Sequence, residues 1–228
     1  MRPDRRVETE LLGTTALVGG MDEVGRGALA GPVSVGLAVV SAATSPDFPQ
    51  GLADSKQVTA RRREALIEPI TAWVADCAVA HAWPGEIDSL GIMGALRLAG
   101  LRALEQVARR GFAPGAVILD GSANWLDAPE ADLLADLEES GGRSAGPMIE
   151  IPPVRMEVKA DARCAVVAAA SILAKVERDR LMTELEDPGY GWASNKGYAS
   201  AAHARALGRL GASPEHRRSW RLPGLAPC

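Results

Sequence analysis

Four acidic residues fall where the sequence predicts that strands end, and their side chains could do chemistry together. Asp22 and Glu23 follow the first predicted strand, Asp120 follows the fourth and Asp161 follows the fifth. Ligands gather at strand ends in open α/β sheets, and converging carboxylates repel one another unless cations neutralise them. Such all-oxygen donors suit Mg²⁺ or Mn²⁺ rather than zinc, and two ions of this kind can activate a water for phosphodiester hydrolysis.

Each of these residues also has a plain structural interpretation. Asp161 could simply be the N-cap of a long helix. Asp120 followed by Gly121 is a good turn pair in any protein, and the pair Asp22 and Glu23 could form a solvated turn. Residue type alone therefore leaves both interpretations open, and the surrounding sequence must decide between them.

The hydrophobic pattern predicts the elements that position these side chains. Short apolar runs predict strands at Thr15–Gly19, Val33–Val40, Trp73–Trp83, Ala116–Leu119 and Val154–Val158. Helical spacing and alanine content predict helices over Ala60–Ala72, Glu86–Arg110, Asp127–Ser140 and Ala162–Glu186, with short ones around Ser200–Leu210 and Pro214–Ser219. The connections of the first three strands are compatible with an antiparallel meander, and the helical crossovers before the later strands predict that those strands run parallel. The expected fold is an α/β domain with a mixed sheet, whose first strand enters a sharp turn at Gly19-Gly20.

Composition bounds the class of protein. The 228 residues suit one domain, and 47% apolar with 24% charged residues is ordinary for a soluble globular protein. No apolar run reaches the roughly 18 residues of a membrane span, and Met1–Glu10 lacks the apolar region of a secretory signal. The three cysteines, Cys77, Cys164 and Cys228, cannot all pair, so a reducing, cytoplasmic setting is expected.

Charge divides the chain unevenly. The net charge is −4, which argues against a general polyanion binder. Residues 188–228 nevertheless hold a single acid, Glu215, against the basic residues Lys196, Arg205, Arg209, Arg217, Arg218 and Arg221. We therefore expect a flexible N-terminus over 1–15, a catalytic domain over 16–187 and a basic helical extension over 188–228. The extension suggests an anionic partner, with a solvated helical surface as the plain alternative.

An ordered series of motifs decides between these interpretations. Its first blocks are Asp22-Glu23-Val24-Gly25-Arg26-Gly27, Ala30-Gly31-Pro32-Val33, Asp54-Ser55-Lys56, Leu119-Asp120-Gly121 and Lys159-Ala160-Asp161. The later blocks are Ala169–Val176 with Arg178-Asp179, then Lys196-Gly197-Tyr198 and His216-Arg217-Arg218-Ser219-Trp220. In order and spacing, from about residue 16 to 222, this series resembles the ribonuclease HII family. A lone Gly-x-Gly would be weak, but the whole series is specific.

The resemblance implies a fold and an activity. The fold would be RNase H-like α/β, with a five-stranded mixed sheet flanked by helices and a small helical C-terminal extension. The activity would be cleavage of the RNA strand of RNA–DNA hybrids and nicking of duplex DNA 5′ of embedded ribonucleotides, leaving 3′-hydroxyl and 5′-phosphate ends. Two divalent ions, Mg²⁺ or Mn²⁺, would be held by Asp22, Glu23, Asp120 and Asp161. A monomer without a membrane partner is the expected form.

Further residues acquire roles from the same resemblance. The backbone at Gly25, Arg26 and Gly27 would read a 2′-hydroxyl, because glycine lets the backbone approach a sugar closely. Tyr198 would pack against the sugar after the ribonucleotide. Its plain alternative is a surface aromatic with a solvated hydroxyl.

Two pairs of residues are weaker candidates. Ser55 and Lys56 could hold a backbone phosphate, although Lys56 could equally be solvated. Ser171 and Lys175 share a helix face and could support the acidic centre. Trp125 is expected to be a core or rim side chain.

One departure and two rival functions stay open. Ala160 stands where the family usually has glycine, which strains the backbone only if that position needs a positive φ. The first rival is a ribonuclease HIII-like hybrid nuclease, against which the short segment before the first strand speaks. The second is a catalytically poor hybrid-binding module, against which the four intact carboxylates speak.

Overall fold

The computed structural model describes residues 3–53, 55–127 and 149–225, and these residues form one five-stranded sheet. Its strands are β1 (Leu17–Val24), β2 (Val33–Ser41), β3 (Asp76–Ala82), β4 (Ala116–Asp120) and β5 (Val154–Glu157). The order is β3-β2-β1-β4-β5, with β2 antiparallel to β1 and β3, and β4 parallel to β1 and β5. The predicted mixed sheet is therefore confirmed.

Helices cover both faces of the sheet. They are α1 (Arg6–Leu12), α2 (Ala60–Trp73), α3 (Pro84–Arg109), α4 (Ala160–Arg163), α5 (Ala165–Glu184), α6 (Trp192–Asn195) and α7 (Ala201–Leu210). Helices α1, α2 and α5 pack on one face, whereas α3 packs on the other. The predicted helix over Asp127–Ser140 lies outside the described residues apart from Asp127. None of the described helices is long and apolar enough to cross a membrane.

Helix α5 rests directly on the sheet because glycines face it. A Cβ on Gly20 of β1 would lie 2.7 Å from the Val166 backbone, and one on Gly36 of β2 would collide with the Ala170 carbonyl oxygen. The prediction of a sharp turn at Gly19-Gly20 was wrong. Both glycines are extended and pair with β2 and β4, since their small size serves close packing rather than chain reversal.

The N-terminal segment is a second departure from prediction. We expected residues 1–15 to be flexible, but Arg6–Leu12 forms α1. Val7 and Leu11 pack against the core, and the Glu8 carboxylate is fully buried, where it accepts the Val166 N–H at 2.8 Å. These contacts give a short polar sequence enough tertiary support to remain helical.

The C-terminal extension packs against the loop between β1 and β2 and against the end of α5. Its apolar cluster contains Leu29, Ala30, Met182, Tyr190, Trp192, Ala206, Leu207 and Leu222. The predicted helix around Pro214–Ser219 does not form. The backbone of Glu215 and Arg217 bonds instead to Gly31 and Leu29, which takes the groups that a helix would need.

Two buried histidines tie this extension together. Ser213 donates its N–H to Nδ1 of His216 at 3.0 Å, which leaves the proton of His216 on Nε2. That nitrogen lies 3.0 Å from Nε2 of His203, whose Nδ1 lies 3.0 Å from the Tyr198 carbonyl oxygen. The chain of bonds fits two neutral rings, and burial lowers the pKa of His216 to about 4.

We expect Gly36→Ala to destabilise the protein by about 3 kcal/mol, because the new methyl group would force α5 away from the sheet. Gly85→Ala is the matched control, since a Cβ there meets nothing within 4 Å. Urea unfolding of both variants measures the difference. Equal stability of the two variants would contradict the close-packing interpretation.

The histidine pair predicts a pH dependence of stability. Above pH 6.5 His216 is neutral in both states, but between pH 6.5 and 4 the unfolded chain takes up a proton that the folded chain does not. As the pH is lowered from 6.5 to 4, the free energy of unfolding therefore decreases by about 3 kcal/mol from His216 alone. This decrease levels off below pH 4. His216→Asn should flatten the curve measured by denaturant titration from pH 7.5 to 4. Parallel curves for the parent and the variant would exclude His216 as the source.

Candidate active site

Asp22 and Glu23 lie inside β1, not after it as the sequence suggested, because the strand continues through the two glycines to Val24. Side chains alternate along a strand, so Asp22 shares the α5 face with Gly20 and Glu23 points to the other face. The sheet therefore separates two neighbouring carboxylates that a turn would have left side by side.

Asp22 carries the clearest electrostatic signal of the site. Burial, with smaller contributions from the charges of Glu23, Asp120 and Asp161, raises its pKa to about 8. The Ser171 hydroxyl of α5 acts in the opposite direction by favouring the carboxylate. The pKa of Asp22 thus responds to the charge of each of the other three predicted acidic residues.

Ala160, which directly precedes Asp161 in the sequence, connects Asp161 to Asp120. The Ala160 N–H donates to Oδ1 of Asp120 at 2.6 Å. The left-handed conformation falls on Lys159, with φ 58°, whereas Ala160 begins α4 with helical geometry. The methyl group that replaces the family's usual glycine is therefore accommodated without a positive φ, and its side chain is buried.

Asp161 is held at the break between two helices. It lies inside α4, while Lys159 occupies the N-cap position, so the N-cap interpretation of Asp161 was wrong. Its side chain is 5% exposed. The following break at Cys164 separates α4 from α5.

Glu23 lies between a cation and an aromatic ring. Burial raises its pKa, and the Arg26 guanidinium at 3.4 Å lowers it in part. Trp125 is buried, as expected, and its indole lies toward Glu23, where it lowers the pKa of that carboxyl. Sequence reasoning missed this proximity, because no motif links the residues after β4 to Glu23 on β1.

The donor type suits a divalent cation, although the ligands are not drawn tightly together. Within the described ranges, no three His, Cys, Asp or Glu side chains stand close enough to hold a metal ion. The carboxylates are nevertheless near enough to raise the pKa of Asp22. Oxygen donors with uncompensated negative charge fit Mg²⁺ or Mn²⁺, which would draw them together.

Arg217 is fully buried and supports the loop after β1. Its guanidinium donates to the carbonyl oxygens of Gly25 at 2.6 Å, Arg26 at 2.9 Å and Gly31 at 3.1 Å. Burial and the nearby Arg178 charge lower its pKa to about 9, so it stays charged at neutral pH. The sequence assigned Arg217 to a phosphate-binding surface, but its hydrogen bonds all go to the protein backbone.

Arg178 supports the same loop from α5. Its guanidinium donates to the carbonyl oxygens of Pro32, Lys196 and Ala30 at 2.8 to 3.2 Å. It also occupies the space that a Cβ on Gly25 would need, and Gly25 has a φ of 84°. Glycine is required at that position on both grounds. Gly27 has open space around it and no positive φ.

Tyr198 lies against this loop, 173 residues away in sequence. The Gly25 N–H donates to its hydroxyl at 3.2 Å, and the Arg178 guanidinium lies 5.5 Å from its ring centroid. His203 lies at hydrogen-bonding distance from its backbone carbonyl. The structure thus brings Tyr198 to the predicted sugar-binding loop and leaves its ring half-exposed.

The weaker candidates divide into two groups. Ser55 is buried and its hydroxyl lies 3.0 Å from that of Ser171, so it faces inward, toward the helix that supports Asp22. Lys175 pairs with Asp179 at 2.7 Å rather than with the four carboxylates. Lys56 is exposed at the surface. Asp54, which opens this motif, lies outside the described residues.

Comparisons with known proteins agree with this geometry. The family model described as Ribonuclease HII matches residues 19–222. The chain is 43% identical to the ribonuclease HII of Streptomyces avermitilis over 96% of its own length and 83% of that protein. It is also 43% identical to the ribonuclease HII of Paracoccus denitrificans, over 96% of this chain and 91% of that one.

A solved structure shows the same fold. The ribonuclease HII of Archaeoglobus fulgidus, determined in complex with PCNA, superposes with a TM-score of 0.60 at 27% identity. The match covers 92% of this chain and 98% of that one. The RNase H-like α/β fold is confirmed by this likeness. With the family model matching nine-tenths of the sequence, the chain belongs to the ribonuclease HII family.

Proposed function

We propose that this chain nicks duplex DNA on the 5′ side of an embedded ribonucleotide, in addition to cutting the RNA strand of RNA–DNA hybrids. Members of its family are metal-dependent ribonuclease H endonucleases that act on such hybrids and leave 5′-phosphates. The observation that carries the proposal is the continuity of β1 with the Gly25 loop. The strand that bears Asp22 and Glu23 runs directly into the residue that bonds to Tyr198.

Asp22, Glu23, Asp120 and Asp161 would hold two divalent ions, Mg²⁺ or Mn²⁺. When bound, these ions would supply an activated water and stabilise the leaving 3′-oxygen. The chain contributes the charge and the fixed positions of its carboxylates. The Ala160 N–H holds Asp120, and the Ser171 hydroxyl favours the charged form of Asp22.

The Gly25 loop is oriented to bind a 2′-hydroxyl. In a trans peptide the C=O and N–H point in opposite directions. Arg217 bonds to the carbonyl oxygens of Gly25 and Arg26 from the buried side, so the N–H groups of Arg26 and Gly27 face away from it. Gly27 is exposed there with open space around it, which leaves room for a sugar.

Tyr198 and the exposed arginines of the C-terminal extension complete the proposed contacts with nucleic acid. The half-exposed ring of Tyr198 would pack against the deoxyribose that follows the ribonucleotide. Arg205, Arg209, Arg218 and Arg221 would contact backbone phosphates, so substrate binding should weaken as salt rises.

The decisive experiment is cleavage of duplex DNA that carries one ribonucleotide, with Mg²⁺, with Mn²⁺ and with a chelator, mapped at nucleotide resolution. A metal-dependent nick just 5′ of the ribonucleotide supports the proposal. Cleavage of a long hybrid alone would favour the ribonuclease HIII-like specificity. Tight binding without cleavage of either substrate would favour a hybrid-binding module.

Asp22→Asn should reduce cleavage about 1,000-fold, because removing one carboxylate charge from a metal site costs several kcal/mol of transition-state stabilisation. Substrate affinity measured by fluorescence anisotropy in chelator should stay near that of the parent. Glu105→Gln is the control, since this carboxylate forms only a surface pair with Arg109. Full activity of Asp22→Asn would refute the assignment of the site.

Tyr198→Ala should slow nicking at a single ribonucleotide about tenfold more than cleavage of an all-RNA hybrid, because loss of a stacking ring costs roughly 1–3 kcal/mol. Tyr198→Phe keeps the ring and should retain most of the activity. Tyr190→Phe is a matched control, since Tyr190 is buried in the extension and donates to Gly211. Equal rates for Tyr198→Ala and the parent on both substrates would remove Tyr198 from the site.

A further inference from the structure

We propose that the N-terminal segment, Asp4–Glu8, is a positioning element for Asp161. The segment lies outside residues 19–222, which the family model matches. Through Asp4 and Glu8 it holds the backbone at the break between α4 and α5. The inference rests on the proposed function, because Asp161 is one of the carboxylates assigned to the metal site.

The break itself determines where Asp161 lies. Cys164 has φ −109° and ψ 122°, an extended conformation between two helical segments. Without it, residues 160–184 would form one continuous helix and Asp161 would project along a different axis. An extended residue inside a helix leaves backbone groups without helical partners, so other groups must satisfy them.

Asp4 supplies those partners through its backbone. Its N–H donates to the Arg163 carbonyl at 2.8 Å, and its carbonyl accepts the Ala165 N–H at 2.9 Å. The two bonds form a parallel bridge on either side of Cys164. A strand-like pairing of this kind holds Cys164 extended and therefore maintains the break.

Glu8 adds a bond at the first turn of α5. Its Oε1 accepts the Val166 N–H at 2.8 Å, and its Oε2 has no hydrogen-bond partner among the residues that the structure describes. The side chain is fully buried, and burial raises its pKa. A buried carboxyl group with one bonded oxygen is a poor source of stability compared with an apolar side chain, whereas its directional bond fixes the start of α5.

Arg5, which directly precedes α1, attaches the N-terminal segment to the loop after β2. The Arg5 guanidinium donates to the carbonyl oxygens of Thr44 at 2.8 Å and Ser45 at 2.6 Å, and lies 5.6 Å from the Trp73 ring centroid. The position of Glu8 is therefore set relative to the loop after β2. Because Glu8 and Asp4 bond to the residues around Cys164, the break that follows Asp161 is also fixed relative to this loop.

The test is Mn²⁺ binding to the metal-free protein without substrate, measured from the electron paramagnetic resonance signal of free Mn²⁺. Glu8→Ala should weaken binding roughly tenfold, as loss of groups that orient metal ligands does. Glu8→Gln keeps an oxygen that can accept the Val166 N–H and should weaken binding less than about threefold. Glu10→Ala is the matched control on the same helix, since its pair with Arg155 is exposed and worth little.

Hydrogen exchange separates positioning from global stability. Glu8→Ala should raise exchange at Ala165 and Val166 while the interior of α5 keeps its protection. Lower thermal stability with the parent's Mn²⁺ affinity would overturn the proposal, as would equal weakening by Glu10→Ala. Failure of the proposed function would show separately, as an unaltered chain that cleaves neither substrate and whose Mn²⁺ binding is insensitive to Asp22→Asn.

Discussion

The close approach of α5 to the sheet is the constraint on which the site depends. Gly20 and Gly36 leave no side chain between the strands and the helix, so the helix backbone lies against the sheet. Ser171 on that helix thereby reaches Asp22 on β1, and the start of the same helix directly follows α4, which bears Asp161. A larger residue at either glycine would alter both relations at once.

Charge is distributed in opposite ways on the two sides of the site. The charges of Glu23, Asp120 and Asp161 help to raise the pKa of Asp22, and a divalent cation would relieve this repulsion. Arg178 and Arg217 lie beneath the loop after β1 and donate hydrogen bonds to backbone carbonyl oxygens. Those two buried cations do not neutralise the carboxylates. They fix the orientation of the peptide groups between Gly25 and Gly31, so the proposed metal site and the proposed sugar-binding loop rest on separate sets of bonds.

Both ends of the described chain return to the catalytic body. The N-terminal segment bonds to the break before α5, and the extension bonds to the loop after β1 through Arg217 and His216. Each contact joins residues more than 150 positions apart. Neither appears in a local pattern, because a short polar helix and a buried arginine look like surface features when only neighbouring residues are read.

The sequence by itself determined the α/β class, the mixed sheet and the family, and it predicted the four carboxylates as the site, because periodicity and ordered motifs are local properties. Only the tertiary structure decided that Gly19-Gly20 continues a strand, that Asp161 lies inside a broken helix and that Lys159, not Ala160, adopts a positive φ. It also turned Arg217 and Ser55 inward. The physical reason is that the burial and hydrogen-bond partners of these residues come from distant segments, and those partners outweigh local propensity.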